Sequence, residues 1–349
     1  MQQQKPLKVI TQNKMGAEIT AIEYHYPEKA ITNVDLAKEF PEYDFSKFEK
    51  KVGIKARYVV NEDETALDLA CKAVNKLFDK GIDKSKIDYL LYCTQSPEYI
   101  LPTTACILQD RVGLNKTIGA FDFNLGCSGY TYGLSFAKAL INSNQAKKVL
   151  LVTAETYSKF IHEKDRTNRS IFGDAATATI IEASDQEHIG DFLFGTDGNG
   201  HDKLIVKNGG SKNKYNANCS VKDYGTGNQY TDNHIYMNGP EIFNFTAGQI
   251  PKFTKEVLLK NNIEKEYIDQ FVFHQANAYM LNFMRKRIKV EPDKFYINLE
   301  NGGNTVSNTI PIALKNYSQN ITKQENIIVL GFGVGLSWSG GLIKLNNKL

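Results

Sequence analysis

The chain has few of the residues that mark disulfide scaffolds, zinc sites or membrane segments. Its 349 residues include only five cysteines, at positions 71, 93, 106, 127 and 219. They are odd in number, widely scattered and include no CxxC pair, which argues against a disulfide framework and a metal site. Apolar runs stay below the roughly 18 residues that a transmembrane helix needs, so we predict no membrane span. The opening stretch MQQQKPLKVITQNK has lysines but no apolar core, so we expect no signal peptide and a cytoplasmic protein.

An excess of charge of either sign is also missing. The 42 Lys and Arg residues nearly balance the 39 Asp and Glu residues, and the formal net charge is +3 at pH 7. Because nucleic-acid binding relies on clustered basic side chains, we expect no nucleic-acid partner. The hydrophobic content of 42% and charged content of 23% are typical of a globular protein with a large core.

Pairs of segments far apart in the chain read alike. The pairs are GIDKSKIDYLLYCTQ (81–95) with NIEKEYIDQFVFHQA (262–276), FDFNLGCSGYTYGLSFAKAL (121–140) with FYINLENGGNTVSNTIPIALKN (295–316), and KKVLLVTA (147–154) with ENIIVLGF (325–332). They follow one another in the same order at nearly the same spacing, which indicates a duplicated α/β unit, although short buried strands also look alike by chance.

Strands alternating with amphipathic segments of helical period predict parallel sheets covered by helices. The predicted helices span residues 64–78, 102–112, 129–141, 241–259 and 278–288. The polar, Asn- and Gly-rich segment 200–236 is predicted to be a long loop or lid outside the core. We expect His201, Cys219 and His234 in this segment to be solvated rather than metal ligands.

Three polar residues fall at strand ends that the duplication brings face to face: Cys127, His274 and Asn304. A cysteine at a helix start can be a simple buried hydrophobe, or its thiolate can be favoured by unpaired N–H groups and the helix dipole. His274 alone could be a core histidine, and Asn304 alone could be a helix N-cap. Their convergence with Cys127 favours a catalytic site.

The residues around these positions resemble known motifs. DFNLGCSGYTYGL (122–134), FHQAN (273–277) and GGNTVSNTIPIAL (302–314) are similar to the three active-site motifs of the thiolase superfamily, most closely those of the β-ketoacyl-acyl carrier protein synthase III family. IFGDAATATII (171–181) and GFGVGLSWSGG (331–341) resemble further motifs of that family. The resemblance implies an α/β, thiolase-like fold of two duplicated halves, 1–185 and 186–349, in a five-layer αβαβα arrangement.

The resemblance also implies a reaction and its residues. Cys127 matches the nucleophile, and His274 and Asn304 match the pair that completes the triad. The backbone N–H groups of Cys127 and Val334 match the oxyanion donors. The implied activity is decarboxylative Claisen condensation of an acyl thioester with malonyl-acyl carrier protein through an acyl-cysteine, for fatty acid or specialised lipid or polyketide synthesis. A homodimer is implied, and this chemistry requires no metal or cofactor.

Substrate contacts are implied as well. The matching positions are Lys51, Leu101, Arg166, Gly239 and Asn277. The family's nucleotide-stacking Trp is replaced by Lys47 and an Arg by Tyr279, so we expect a carrier protein or an atypical acyl-CoA as the donor. Leu101 stands where Phe is common, in a segment (96–106) that resembles the family's dimer contact, and a smaller residue there leaves room for longer or branched acyl chains.

Several alternatives remain open at this stage. A 3-hydroxy-3-methylglutaryl-CoA synthase-like reaction needs a carboxylic acid where this chain has Gln95, although Glu98 is close. Simple acyl transfer without decarboxylation needs only Cys127 and His274. A thiolase needs a second cysteine near the C-terminus, and none follows Cys219. A non-catalytic scaffold could also reuse the fold.

Overall fold

The computed structural model describes residues 15–224, 227–346 and 349. The strands are Gly16–His25 (β1), Lys29–Thr32 (β2), Ala56–Val59 (β3), Tyr89–Cys93 (β4), Gly119–Phe123 (β5), Lys148–Glu155 (β6), Ala175–Ser184 (β7), Ile189–Thr196 (β8), Leu204–Ile205 (β9), Lys222–Asp223 (β10), Gln229–Tyr230 (β11), Tyr236–Met237 (β12), Gln270–Phe273 (β13), Glu325–Gly333 (β14) and Ser337–Leu345 (β15). The α-helices are Asn33–Glu39 (α1), Phe45–Val52 (α2), Ala66–Asp79 (α3), Thr104–Arg111 (α4), Gly129–Asn142 (α5), Arg166–Ile171 (α6), Gly239–Lys260 (α7), Ala278–Ile288 (α8) and Thr309–Ser318 (α9).

Two main sheets share one strand order. The first runs β1-β7-β6-β4-β5 and the second runs β8-β15-β14-β13. In both, the inner pair is parallel, β4 with β6 and β13 with β14, and the remaining pairs toward β1 and β8 are antiparallel. The counterpart of β5 is a single parallel bridge between Phe271 and Phe295. The matched sequence segments therefore hold equivalent places, whereas the division at residues 185 and 186 stays a prediction.

Five layers follow from how each strand buries both faces. Val149 and Leu151 of β6 contribute to a central core shared with α5 and α9, whereas Leu150 and Val152 pack on the other face with α3 and α4. The second sheet contacts the same central core, and its outer face packs against α7 and α8. Strands covered on both sides read as continuous apolar runs, as β6 does. The predicted five-layer α/β arrangement is confirmed.

The five predicted helices are present, and the bounds of α3, α4, α5, α7 and α8 lie within two residues of the prediction. The sequence reading missed α1 and α2, which are short. Their signals were N-caps: Thr32 and Asp35 form a capping box at α1, and the Asp44 side chain accepts from the N–H groups of Ser46 and Lys47 at α2.

The segment 200–236 is mostly irregular, but the expectation that it lies outside the core is wrong in part. Leu204 and Ile235 are buried beside Cys127. His201 is exposed as expected, whereas Cys219 and His234 are half-buried rather than fully solvated. Asn208 Nδ2 donates to Cys219 Sγ at 3.1 Å, and His234 Nδ1 lies 2.7 Å from Thr231 Oγ1. Positions 225 and 226 of this segment lie outside the described residues.

Clustered metal-ligating side chains and long apolar helices are both missing from the described residues. In the ranges given above, His, Cys, Asp and Glu side chains form no group of three or more that could hold a metal ion. The helices within those ranges include none with the length and apolar character needed to cross a bilayer.

Candidate active site

Cys127 lies between the end of β5 and the start of α5, with only 5% of its surface exposed. The buried side chains in its cluster are Tyr157, Phe172, Leu204, Ile235 and Val306. The backbone of β14 passes directly over the cysteine, because a Cβ added to Gly333 would be 2.9 Å from Cys127 Cβ and 3.0 Å from Sγ. Glycine is thus required at position 333 to let the second sheet approach the sulfur.

The sulfur has two opposing influences on its protonation. Burial, with a smaller contribution from Glu155, raises the pKa of the Cys127 thiol to about 12, while the backbone N–H groups of Cys127 and Val334 bond toward the sulfur and lower it. Desolvation is the larger effect, so the resting group is a thiol. Of the two alternatives for a cysteine at a helix start, the thiolate is therefore not the resting form. The backbone N–H groups of Cys127 and Val334, which the family resemblance assigned to the oxyanion, therefore lie next to the sulfur.

His274 follows β13 and is held on both sides. The backbone N–H of His274 donates to the backbone carbonyl of Leu330 at 2.7 Å, and the ring Nδ1 is 2.7 Å from Thr309 Oγ1. Burial lowers the pKa of the imidazole to about 3, so the ring is neutral at physiological pH. A hydroxyl can donate or accept, so the Thr309 contact at Nδ1 is compatible with either tautomer of the ring.

Asn304 is fixed by its backbone and by its side chain. Its N–H donates to Ile171, its carbonyl accepts from Gly173, and its Oδ1 accepts from the Val306 N–H at 2.9 Å. Because the carbonyl end of the amide is occupied in this way, the NH2 end is left as a donor. The N-cap of α9 is Asn308, so Asn304 is not the simple helix cap that its residue type alone suggests.

The structure brings the three predicted residues to one buried place between the halves. Val306 packs with Cys127 and bonds to the Asn304 side chain, and its backbone also interacts with the imidazole of His274. Phe172 packs in the same cluster and pairs with Asn304 through a parallel bridge. The site can therefore combine a thiol, a neutral imidazole and a carboxamide.

Glu155 is a buried carboxyl that the sequence reading missed. It ends β6, and its carboxylate accepts from the Gln95 N–H at 3.0 Å and from Ser307 Oγ at 2.9 Å. Burial raises the pKa of this carboxyl to about 8. It joins the loop after β4 to the loop that carries Asn304. An acidic residue closing an otherwise apolar strand was the available signal.

The predicted substrate residues are spread over the surface around the site. Lys51 is exposed at the end of α2, with Nζ 4.9 Å from the centre of the Tyr279 ring. The guanidinium of Arg166 stacks 3.9 Å from the centre of the Tyr43 ring and lies 3.9 Å from a Glu42 oxygen. Tyr43, which the sequence reading did not single out, thus already covers Arg166.

The other predicted contacts have structural partners or lie at the surface. Gly239 is the first residue of α7, and Asn277 caps α8 by accepting from the Met280 N–H at 2.8 Å. Leu101 is 80% exposed, and the preceding Tyr99 and Ile100 line a cavity that reaches Val334.

Two similar α/β units in five layers, with a buried Cys, His and Asn brought together, are the arrangement of a thiolase-like acyltransferase. Residues 121–198 match the model of the family 3-Oxoacyl-[acyl-carrier-protein (ACP)] synthase III, and residues 258–345 match that of its C-terminal part. The chain is 36% identical to β-ketoacyl-[acyl-carrier-protein] synthase III of Clostridium perfringens over 92% of this chain and 97% of that protein. It therefore belongs to the 3-oxoacyl-[acyl-carrier-protein] synthase III family.

Solved structures agree with that membership. A crystal structure of a 3-oxoacyl-(acyl-carrier-protein) synthase III is 43% identical, with a TM-score of 0.92 over 95% of this chain and all of that chain. The 3-oxoacyl-(acyl-carrier protein) synthase of Burkholderia xenovorans is 33% identical, with a TM-score of 0.87 over 95% of this chain and 94% of that chain. The thiolase-like fold is thus shown by sequence and structure together.

Proposed function

We propose that Cys127, His274 and Asn304 carry out the reaction of this family, the decarboxylative condensation of an acyl thioester with malonyl-acyl carrier protein. The observation that supports these roles is the convergence of the three side chains on one buried cluster around Val306. The product is a β-ketoacyl thioester. The acyl chain that the enzyme accepts determines whether this product serves ordinary fatty acid synthesis or specialised lipid or polyketide synthesis.

In the first half-reaction the Cys127 sulfur attacks the acyl thioester. Because burial keeps the resting sulfur protonated, the proton has to leave as the attack proceeds, and the neutral imidazole of His274 is the available base. The N–H groups of Cys127 and Val334, which adjoin the sulfur, would bind the tetrahedral oxyanion. The carrier thiol departs and the acyl group stays on Cys127.

In the second half-reaction the malonyl thioester loses CO2. The enolate oxygen that forms needs hydrogen-bond donors, and the NH2 group of Asn304 and an N–H of His274 would supply them. The carbanion then attacks the acyl-cysteine carbonyl, and the same two backbone N–H groups serve this second oxyanion. When it collapses, the bond from the acyl carbon to the Cys127 sulfur breaks, the β-ketoacyl thioester is released, and the sulfur takes up a proton from solvent. Each step uses groups that the fold holds in place before substrate arrives.

We further propose a carrier protein or an atypical acyl-CoA, rather than acetyl-CoA, as the preferred acyl donor. The support is that Arg166 is covered by Tyr43 and faces the acidic Glu42, so its guanidinium is less available to a nucleotide phosphate. Acyl-enzyme formation from matched CoA and carrier-protein thioesters tests this. A clear preference for acetyl-CoA would overturn it.

A homodimer is the proposed assembly. Tyr99, Ile100 and Leu101 are 60%, 90% and 80% exposed in succession, an apolar tip that a partner subunit would cover. Light scattering of the chain and of Ile100→Asp tests this, since the charge should dissociate the dimer. A monomeric parent would contradict the homodimer, and a dimer that survives Ile100→Asp would contradict the role of this apolar tip in the contact. The cytoplasmic location stays a prediction.

The activity is tested by intact-mass spectrometry with acyl donors, followed by measurement of CO2 released from malonyl-carrier protein. We expect an adduct on the chain that Cys127→Ala lacks, and CO2 release that Asn304→Ala reduces. An adduct without any CO2 release would indicate simple acyl transfer instead.

Because the Gln95 amide occupies the place of the acid that an aldol-type synthase needs, Glu98→Gln should leave condensation intact. Loss of condensation in Glu98→Gln would favour the 3-hydroxy-3-methylglutaryl-CoA synthase-like reaction.

A further inference from the structure

The cavity beside Cys127 has a polar corner of three residues next to an apolar wall, and Glu98, His201 and Asn208 line other parts of it. Its volume is about 890 Å³, and its apolar walls include Phe160, Leu204, Val206, Ile235 and Val334. Gln95, Asn124 and Tyr157 line the same cavity. A cavity that accepted only a hydrocarbon chain would have no need of an amide and a phenol in its lining.

The polar corner is a chain of hydrogen bonds. The Tyr157 hydroxyl donates to Gln95 Oε1 at 2.5 Å, and Gln95 Nε2 donates to Asn124 Oδ1 at 2.9 Å. The Tyr157 side chain is buried, Gln95 is half-buried and Asn124 is exposed, so the network runs from the protein interior to the mouth of the cavity. A primary amide has two N–H groups, and a phenol oxygen can accept as well as donate. The two bonds therefore leave one N–H of Gln95 and the acceptor side of Tyr157 for a ligand.

The corner is next to the nucleophile. A Cβ added to Gly126 would lie 2.6 Å from Gln95 Oε1 and 2.7 Å from Val334 Cγ1. The amide thus packs against the residue before Cys127 and beside Val334, whose N–H bonds toward the sulfur. An acyl chain on the sulfur that entered the cavity along Val334 would therefore pass Gln95 and Tyr157 with its first carbons.

A hydrocarbon and an oxygenated chain differ in what they do to this corner. A methylene chain would remove water from the Gln95 N–H and the Tyr157 oxygen without replacing its hydrogen bonds, which is unfavourable. A hydroxyl or carbonyl oxygen at the same depth would accept from the amide, and a hydroxyl would also donate to the phenol oxygen. Sites that hydrogen-bond a substrate oxygen discriminate against the analogue that lacks it.

We propose that Gln95 and Tyr157 select an acyl donor that carries a hydroxyl or keto oxygen on one of the first carbons beyond the thioester carbonyl. The inference rests on the proposed function, since it concerns the acyl group loaded on Cys127. During loading, the bond from the acyl carbon to the carrier sulfur breaks and a bond to the Cys127 sulfur forms. The cysteine proton ends on the carrier thiol, and the selected oxygen takes no part in the chemistry.

The test compares loading rates of thioesters with equal carbon number. Pantetheine thioesters of butyrate, 3-hydroxybutyrate and 4-hydroxybutyrate are mixed with the protein, and the adduct on Cys127 is followed by intact mass. We expect the better hydroxylated donor to load about tenfold faster than butyrate, the effect of one net neutral hydrogen bond. Tyr157→Phe and Gln95→Leu should bring the ratio close to one. Tyr267→Phe, at an exposed site away from this cavity, should keep the ratio of the parent.

Two results would overturn the inference: butyrate loading as fast as both hydroxylated donors, or a preference that survives both cavity variants. Tyr157→Phe removes a single oxygen, so it carries the test if Gln95→Leu does not fold. Failure of the proposed function looks different, because then no donor forms an adduct on Cys127 or no CO2 is released. Adducts that form without preference overturn only the selection of oxygenated chains.

Discussion

Replacing Glu155 by glutamine should remove a large part of the pH dependence of stability. The carboxyl is completely buried, and its pKa is raised from the ordinary 4.5 to about 8. The folded state therefore favours the protonated form, whose contribution is fully present below pH 4.5 and is lost as pH rises toward 8. A change of one in pKa corresponds to about 1.4 kcal/mol, so the loss amounts to about 5 kcal/mol.

Glutamine is a close replacement at this site. Its carbonyl oxygen can accept from the Gln95 N–H, and its NH2 can donate to Ser307 Oγ. The variant should therefore fold, and its unfolding free energy should exceed that of the parent increasingly as pH rises from about 5 to about 8. Urea unfolding at fixed protein concentration, followed by fluorescence of the single tryptophan, Trp338, measures this difference.

Asp174 supplies a matched control. It is also buried, but the pKa of its carboxyl is raised only to about 6 from the ordinary 3.8. The difference between Asp174→Asn and the parent should therefore stop changing above about pH 6 to 7, whereas that for Glu155→Gln continues to grow. A Glu155→Gln difference that stays constant from about pH 5 to 9 would refute the assignment of a neutral carboxyl at position 155.

Three further predictions concern the site and its supports. Gly333→Ala should slow acyl-enzyme formation by at least about tenfold while the protein stays folded, because the added methyl meets Cys127 Cβ and Sγ at 2.9 and 3.0 Å. Stopped-flow measurement of loading tests this, and an unchanged rate would contradict the packing. The rate of Cys127 alkylation by iodoacetamide should rise about tenfold for each pH unit between about 7 and 10, since only the thiolate reacts and burial raises the pKa of this thiol to about 12. Labelling followed by peptide mapping measures this rate, and a plateau near pH 8.5 would argue against the raised pKa. Asp122→Ala should lower the unfolding free energy by about 1 to 2 kcal/mol, because the carboxylate accepts from the first N–H groups of α4, Thr104 at 2.6 Å and Ala105 at 2.7 Å. Denaturant unfolding measures this loss, with Asp63→Ala at an exposed site as the control. Equal losses for the two variants would refute the prediction.

The sequence was most informative where a pattern is local or repeated. The helix at 278–288 has the predicted bounds, and the matched segments mark β4 with β13 and β6 with β14, because burial on both faces leaves a continuous apolar run in each copy. The convergence of Cys127, His274 and Asn304 followed from the motifs and the duplication.

What the sequence did not reveal depends on surroundings assembled from distant parts of the chain. The protonation of Cys127 is decided by how completely the sulfur is desolvated, and a helix start alone suggests the opposite state. The cover of Tyr43 over Arg166 and the burial of Leu204 and Ile235 beside Cys127 join segments far apart in the chain. Residue type and spacing give no measure of such contacts.

The loops before α5 and α9 hold equivalent positions at the inner ends of two matched units, yet one offers sulfur and the other an amide. Two identical units related by symmetry would have set a thiol against a thiol, or an amide against an amide. Joining both units in one polypeptide allows each loop to specialise without the other following. The asymmetry of the proposed reaction, in which one sulfur attacks and groups from the opposite unit assist, is thus accessible to a chain that joins both copies covalently.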